Sequence, residues 1–102
     1  MSAIRTLKWT VRAVEDLARI RAFIAADHPS AARRAAACIK EAAAMLLDQP
    51  AMGRPVDDLL EFHDWFIPFG KHGYMLRYRL DERVIVVVLV WHEREERNAG
   101  DP

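Results

Sequence analysis

An α+β fold is predicted, with a helical hairpin packed on one face of a mostly antiparallel sheet in the order β-α-α-β-β-β. Three observations predict it. Apolar residues recur at helical spacing from Thr10 to Asp48. Strand signals take over from Phe62. A stretch holding Pro50, Gly53 and Pro55 separates the two regimes.

Each element has its own warrant. Ile4–Trp9 reads as a short strand with Leu7 and Trp9 on one face. Thr10 suits an N-cap, because its hydroxyl can accept from an orphan helix N–H. Ala13, Leu17, Ile20 and Ile24 then fall on one stripe. Glu15 and Asp16 lie in the early turns, where the helix dipole favours acids. His28 precedes Pro29 and so disfavours helical geometry, which stops the first helix near Asp27. Pro29 suits the first turn of a second helix, which runs to about Asp48. Eight of the fourteen residues from Ala31 to Ala44 are alanine, the best helix former. Its inward face is Ala32, Ala35, Ile39, Ala42 and Leu46. The short link at Asp27–Ser30 makes the pair antiparallel.

Gln49–Glu61 reads as a loop. Phe62–Phe69 is an aromatic-rich strand, and Gly70–Gly73 is a turn. Tyr74–Leu80 alternates, with Tyr74, Leu76, Tyr78 and Leu80 on one face and Met75, Arg77 and Arg79 on the other. Asp81–Arg83 turns again. Val84–Trp91 is apolar on both faces, as a central strand would be. The tail at 98–102 is expected to fray.

The chain of 102 residues is one domain. No run approaches the roughly 20 apolar residues of a membrane helix, and the start lacks the apolar core of a signal peptide. Cys38 is the one cysteine, so no internal disulfide forms; a buried, inert thiol inside the cell is expected. Formal charge is zero but uneven. Residues 1–50 hold 8 Lys/Arg against 5 Asp/Glu, and residues 51–102 hold 7 against 10. Proteins that grip a phosphate backbone broadly show a basic excess. Direct, specific DNA binding is therefore not expected. No metal-ligand spacing is present, and neither a metal nor another cofactor is expected.

The residues resemble those of the RelE/ParE superfamily of small bacterial toxins, and its ParE-like branch most. Trp9-Thr10, Ala13, Asp16-Leu17 and Ile20 open the likeness. Asp27-His-Pro29 with Ala31-Ala32, Pro50-Ala-Met-Gly53-Arg54, Phe66-Ile-Pro68 and Tyr74-Met-Leu-Arg-Tyr78 continue it, and Val90-Trp91-His92-Glu93-Arg94 closes it. It spans about residues 5 to 97. One departure stands out: many members open the second strand with an arginine, where this chain has Phe62-His63-Asp64. The resemblance implies a cytoplasmic toxin of a type II toxin–antitoxin module, in a heteromeric complex with a cognate antitoxin. It also implies one of two targets. A ParE-like toxin inhibits DNA gyrase without chemistry. A RelE-like toxin is a ribosome-dependent mRNA endonuclease.

Candidate residues carry two readings each. Arg54 either contacts an anion or partner or pins its loop, for instance through Asp57 or Asp58. Arg77 and Arg79 lie on the face the helices leave open, either solvated, or cradling an acidic antitoxin segment, or orienting RNA phosphate. His92 has the right chemistry for a general acid or base and Arg94 for stabilising a phosphorane, yet a structural histidine is equally served there. A nuclease would use Arg54, Arg77, Arg79, His92 and Arg94. His63 and His72 flank opposite ends of one hairpin, too far apart for one site. Trp9, Trp65 and Trp91 read as packing residues. Arg12, Arg19, Arg33, Arg34 and Lys40 line the exposed helix faces, as a partner surface or a solvated one. Glu93, Glu95 and Glu96 beside His92 would repel RNA, which favours the gyrase reading.

Overall fold

The computed structural model describes residues 4–95. Glu96 and the expected frayed tail at 98–102 lie outside the described residues. Within them run β1 (Thr6–Trp9), α1 (Val11–Ala25), α2 (Pro29–Met45), β2 (Arg54–Val56), β3 (Leu59–Phe69), β4 (His72–Leu80) and β5 (Val84–His92). The strands form one sheet in the order β1-β5-β4-β3-β2. β1 runs parallel to β5, and the other pairings are antiparallel. The helical hairpin covers one face of this sheet, as the change in periodicity predicts.

The helix boundaries follow their local chemistry. The Thr10 hydroxyl accepts the Ala13 N–H at 3.0 Å, and Pro29 opens α2. Asp27 and His28 donate their N–H groups to the Ile24 carbonyl, tightening the link. Ala13, Leu17 and Ile20 are buried, as are all five inward residues expected of α2. α2 itself stops at Met45, and residues 46–48 are turn.

The stretch 49–61 is not a plain loop. It holds β2 and the start of β3, paired Arg54↔Asp64 and Pro55↔His63. Two features hid this hairpin. Pro55 cannot donate to a ladder, yet an edge strand tolerates it. The reversal uses Asp58 at φ 65, a left-handed conformation that Asp adopts more readily than most residues. The turn expected at Gly70–Gly73 is also shorter. His72 and Gly73 pair with Phe69 and Pro68, leaving Gly70 at φ 60 and Lys71 to reverse the chain.

The faces of β4 are as the alternation predicts. Tyr74, Leu76 and Tyr78 join Ile67, Ile85, Val87 and Val90 in the core beneath the helices. The ladder slips at Arg77/Tyr78, where Leu89 and Val87 are the partners and Val88 is the extra residue of a bulge. β5 is central, as its two apolar faces require. Cys38 is half-buried rather than buried, its Sγ 3.8 Å from the Pro68 carbonyl oxygen.

Candidate functional site

The candidate residues sort onto two sides of the sheet. On the open face, Arg77 stands level with Asp64 on β3, which in turn stands level with Arg54 on β2. Arg77 Nε and Nη2 donate to the two Asp64 carboxylate oxygens at 2.7 and 2.9 Å. The guanidinium also lies over the Trp91 ring, 5.6 Å from its centroid. These contacts leave Arg77 only 3% exposed. A solvated Arg77 is thus corrected: β3 supplies the matching carboxylate and Trp91 supplies the cover. Asp64 stands within the stretch that departs from the family pattern.

Arg79 is exposed and pairs with Asp81 at 3.1 Å. Arg54 is exposed and makes no ion pair among the described residues. It therefore does not tie its loop through Asp57 or Asp58. That work falls to Tyr78, whose hydroxyl accepts the Gly53 N–H at 2.9 Å and donates to the Pro50 carbonyl at 2.7 Å. Burial pushes the Tyr78 phenol above its usual pKa, against the opposite pull of the Gly53 amide. His63 stacks on Tyr78 with centroids 5.3 Å apart. Its Nδ1 is buried without a partner among the described residues.

The helix side holds the second group, where the ends of β4 and β5 meet the C-terminal half of α1. His92 stands opposite Tyr74 in the ladder, and their rings meet edge-on at 5.3 Å. His72 meets His92 at 5.6 Å, and its Nδ1 lies 3.1 Å from Glu93 Oε1. The His92 Nδ1 accepts the Arg94 N–H at 3.1 Å, which assigns the ring proton of the neutral imidazole to Nε2. Glu95 folds back over this corner. Its Oε1 accepts the His92 N–H at 3.2 Å, and its carboxylate takes a 3.0 Å ion pair from Arg19. The hydrogen bond to Glu95 raises the Arg19 pKa further. A cavity of about 620 Å³ opens here, walled by Ile20, Phe23, Ile24, Tyr74 and His92, with Arg94 at its rim. Burial raises the Tyr74 phenol pKa, with the Glu95 charge adding to it.

The five residues expected to serve a nuclease therefore do not converge. Arg54, Arg77 and Arg79 share one face, while His92 and Arg94 lie on the other with the sheet between them. His63 and His72 are also apart: they sit six residues distant along the hairpin, roughly 20 Å at strand rise. No group of three or more potential metal ligands occurs among the described residues.

Of the expected partner residues on the hairpin, Arg33 and Arg34 are exposed, with Arg34 reaching Ser30 Oγ at 3.4 Å. Arg12 and Arg19 are exposed too but flank Asp16, at 3.3 and 3.6 Å. Asp16 corrects its expected role. It lies beyond the first turn and is 5% exposed, and its Oδ2 accepts the Val90 N–H at 3.0 Å. The signal was the spacing Arg12, Asp16, Arg19, which places both cations one turn from the acid.

Comparison with known proteins gives a consistent likeness. Residues 7–97 match the family described as the ParE toxin of the type II toxin-antitoxin system parDE. Among curated relatives, Toxin RelE1 of Caulobacter vibrioides is 33% identical over 90% of this chain and 97% of its own length. Toxin RelE3 of the same organism is 33% identical over 84% and 91%. A solved chain of the chromosomal ParDE toxin–antitoxin system from P. aeruginosa superposes with a TM-score of 0.71 at 21% identity. The match covers 87% of this chain and 96% of that one. A chain of the RelBE2 complex from Mycobacterium tuberculosis gives 0.60 at 24%, covering 89% and 100%. Those two likenesses establish the fold.

Proposed function

The chain belongs to the ParE toxin family of type II toxin–antitoxin systems, within the RelE/ParE superfamily, and from that premise we propose that it is a binding toxin that inhibits DNA gyrase and is neutralised by a cognate antitoxin. One observation carries the choice of a binding role over RNA cleavage: the sheet stands between His92 and the arginines of the open face. Cutting RNA by attack of a 2′-hydroxyl needs a proton acceptor, a proton donor and cations around one phosphate. Arg77 is moreover committed to Asp64, and Arg79 to Asp81. With Glu95 paired to Arg19 and Glu93 to His72, Arg94 is the one uncompensated cation beside His92 among the described residues, too little positive charge to hold a polyanion.

The runner-up is a ribosome-dependent mRNA endonuclease. It is favoured by the two relatives named RelE toxins and by the two imidazoles that meet at the sheet corner. One experiment separates the readings. Purified protein is added to a gyrase supercoiling reaction and, separately, to translating ribosomes. Inhibited supercoiling with intact mRNA is the expected result. Codon-dependent cuts that vanish in His92→Ala, with supercoiling untouched, would promote the runner-up.

A further inference from the structure

We propose that the cavity between α1 and the β4/β5 corner is an anchor site of the antitoxin interface, and that it takes an apolar side chain followed closely by a carboxylate. The proposal rests on the toxin–antitoxin reading and deepens it.

The walls set the apolar half of the specification. Ile20, Phe23 and Ile24 come from one stripe of α1, and Tyr74 closes the floor. Phe23 is 83% exposed, a large apolar surface that its own fold leaves uncovered. Single exposed apolar residues are common, but this one borders a cavity of about 620 Å³. That volume lies within the range of roughly 300–1,000 Å³ typical of ligand pockets. It can receive a bulky side chain together with part of the turn that bears it.

The polar groups set the other half. Tyr74 is 5% exposed, yet its hydroxyl has no hydrogen-bond partner among the described residues. Among the described residues the fully buried unpaired side-chain atom is His63 Nδ1, so the Tyr74 hydroxyl keeps contact with the cavity's solvent. An occupant that displaces that water must offer it an acceptor. The protonated Nε2 of His92 also lacks a partner among the described residues. So does the Arg94 guanidinium, whose main-chain N–H alone is bonded. The acceptor at hand, the Glu95 carboxylate, is already taken by Arg19 and the His92 N–H. The polar groups left unengaged can therefore all donate, and the occupant must bring acceptors. An apolar side chain with a neighbouring Asp or Glu meets both demands, and an amphipathic acidic peptide presents that pair on one face. A nucleotide fits less well. The walls are largely apolar, and among the described residues Arg94 is the one lining cation without an acid, against the several charges a nucleotide's phosphates would bring.

The test titrates the protein encoded by the adjacent reading frame against wild-type toxin and three variants, Phe23→Ala, Tyr74→Phe and Glu82→Ala. Phe23 is exposed, so its loss leaves the fold intact, which a melting curve verifies. Phe23→Ala should weaken the complex by about tenfold or more, as interface anchors do. Tyr74→Phe keeps the ring and removes the hydroxyl, and should weaken it about fivefold. Glu82→Ala, in the turn at the far end of the sheet, should leave affinity unchanged. If the wild type binds its neighbour and both cavity variants bind equally well, this inference falls while the toxin reading stands. If the wild type binds no such protein, both fall. Binding of a single-stranded RNA oligonucleotide that depends on Phe23 would also overturn it, in favour of a nucleic-acid site.

Discussion

The carboxylate of Asp16 accepts the main-chain N–H of Val90 at 3.0 Å, joining the middle of α1 to β5 across 74 residues of sequence. β1 pairs with β5 only from Val84 to Val87, and the chain then leaves the sheet to begin α1. The flank of β5 beyond that point needs other partners. Thr10 supplies two, donating its N–H to the Val87 carbonyl and its hydroxyl to the Val88 carbonyl. Asp16 supplies the third, taking the place of a missing strand.

Replacing Asp16 therefore tests how the helices are held to the sheet. Asp16→Ala strands a buried N–H and leaves Arg12 and Arg19 without their shared acid. It should cost about 2–3 kcal/mol, the usual loss for a charge-assisted buried bond. Asp16→Asn retains an acceptor and should cost about half as much. Urea unfolding monitored by circular dichroism gives both values. Equal midpoints for the Ala variant and the wild type would mean that the bond contributes nothing.

Arg77 and Asp64 form the second buried tie. Arg77→Ala leaves a carboxylate that is mostly covered and no longer paired, at a cost of about 3 kcal/mol. The double replacement Arg77→Met with Asp64→Leu should recover most of that loss, because apolar residues of similar volume need no partner. A double-mutant cycle on unfolding free energy reads the coupling directly.

Gly53 is fixed by contact. A Cβ there would lie 2.9 Å from the Tyr78 ring and 3.0 Å from the Asp64 carbonyl oxygen. Gly53→Ala should destabilise by about 1–3 kcal/mol, as overpacking does. Tyr78→Phe should cost about 1–2 kcal/mol by removing the hydroxyl that holds Pro50 and Gly53. Amide hydrogen exchange at Gly53 should accelerate in the Phe variant. Unchanged protection would show that the loop is held by something else.

The chain has two tyrosines, Tyr74 and Tyr78, and burial raises both phenol pKa values above the usual 10. The sign follows from linkage. Above pH 10 the unfolded chain releases phenolic protons that the folded chain still binds, so stability falls as pH rises. The contribution is whole below the unfolded value and is lost as pH climbs through the folded ones. Absorbance at the phenolate band should lag a free tyrosine on titration, then rise with unfolding. Titration at the free-tyrosine position would refute the burial of the two side chains.

Much of this architecture is legible from residue order. Periodicity locates both helices, and Thr10 and Pro29 mark where they begin. Alternation in Tyr74–Leu80 assigns the faces of β4 correctly. What escaped was set by register and tertiary pairing. Arg77 looks solvated until β3 is aligned, because only the ladder shows that Asp64 stands beside it. Asp16 looks like a dipole acid because its true partner is a main-chain amide far along the sequence. The β2 hairpin was hidden by Pro55 and by a turn built on Asp rather than Gly. At the β4/β5 corner, the chemistry of His92 and Arg94 and the charge of Glu95 are legible in the sequence, whereas the part that Tyr74, Glu95 and Phe23 play in walling a cavity is not. Those three matter through the cavity they enclose, and a cavity has no signature in one dimension.

The parallel pairing of β1 with β5 has a consequence for how the molecule comes into being. The first strand has no neighbour in the sheet until the last one arrives, so a chain emerging from the ribosome must wait for almost its whole length before the layers can close. Ile85, Val87 and Val90 complete the core from that final strand, and the corner that holds His92 exists only once it is seated. A nascent or prematurely ended chain lacks both the seam and the corner. Whatever that corner binds, binding is thereby deferred until β5 has been made and has taken its place between β1 and β4.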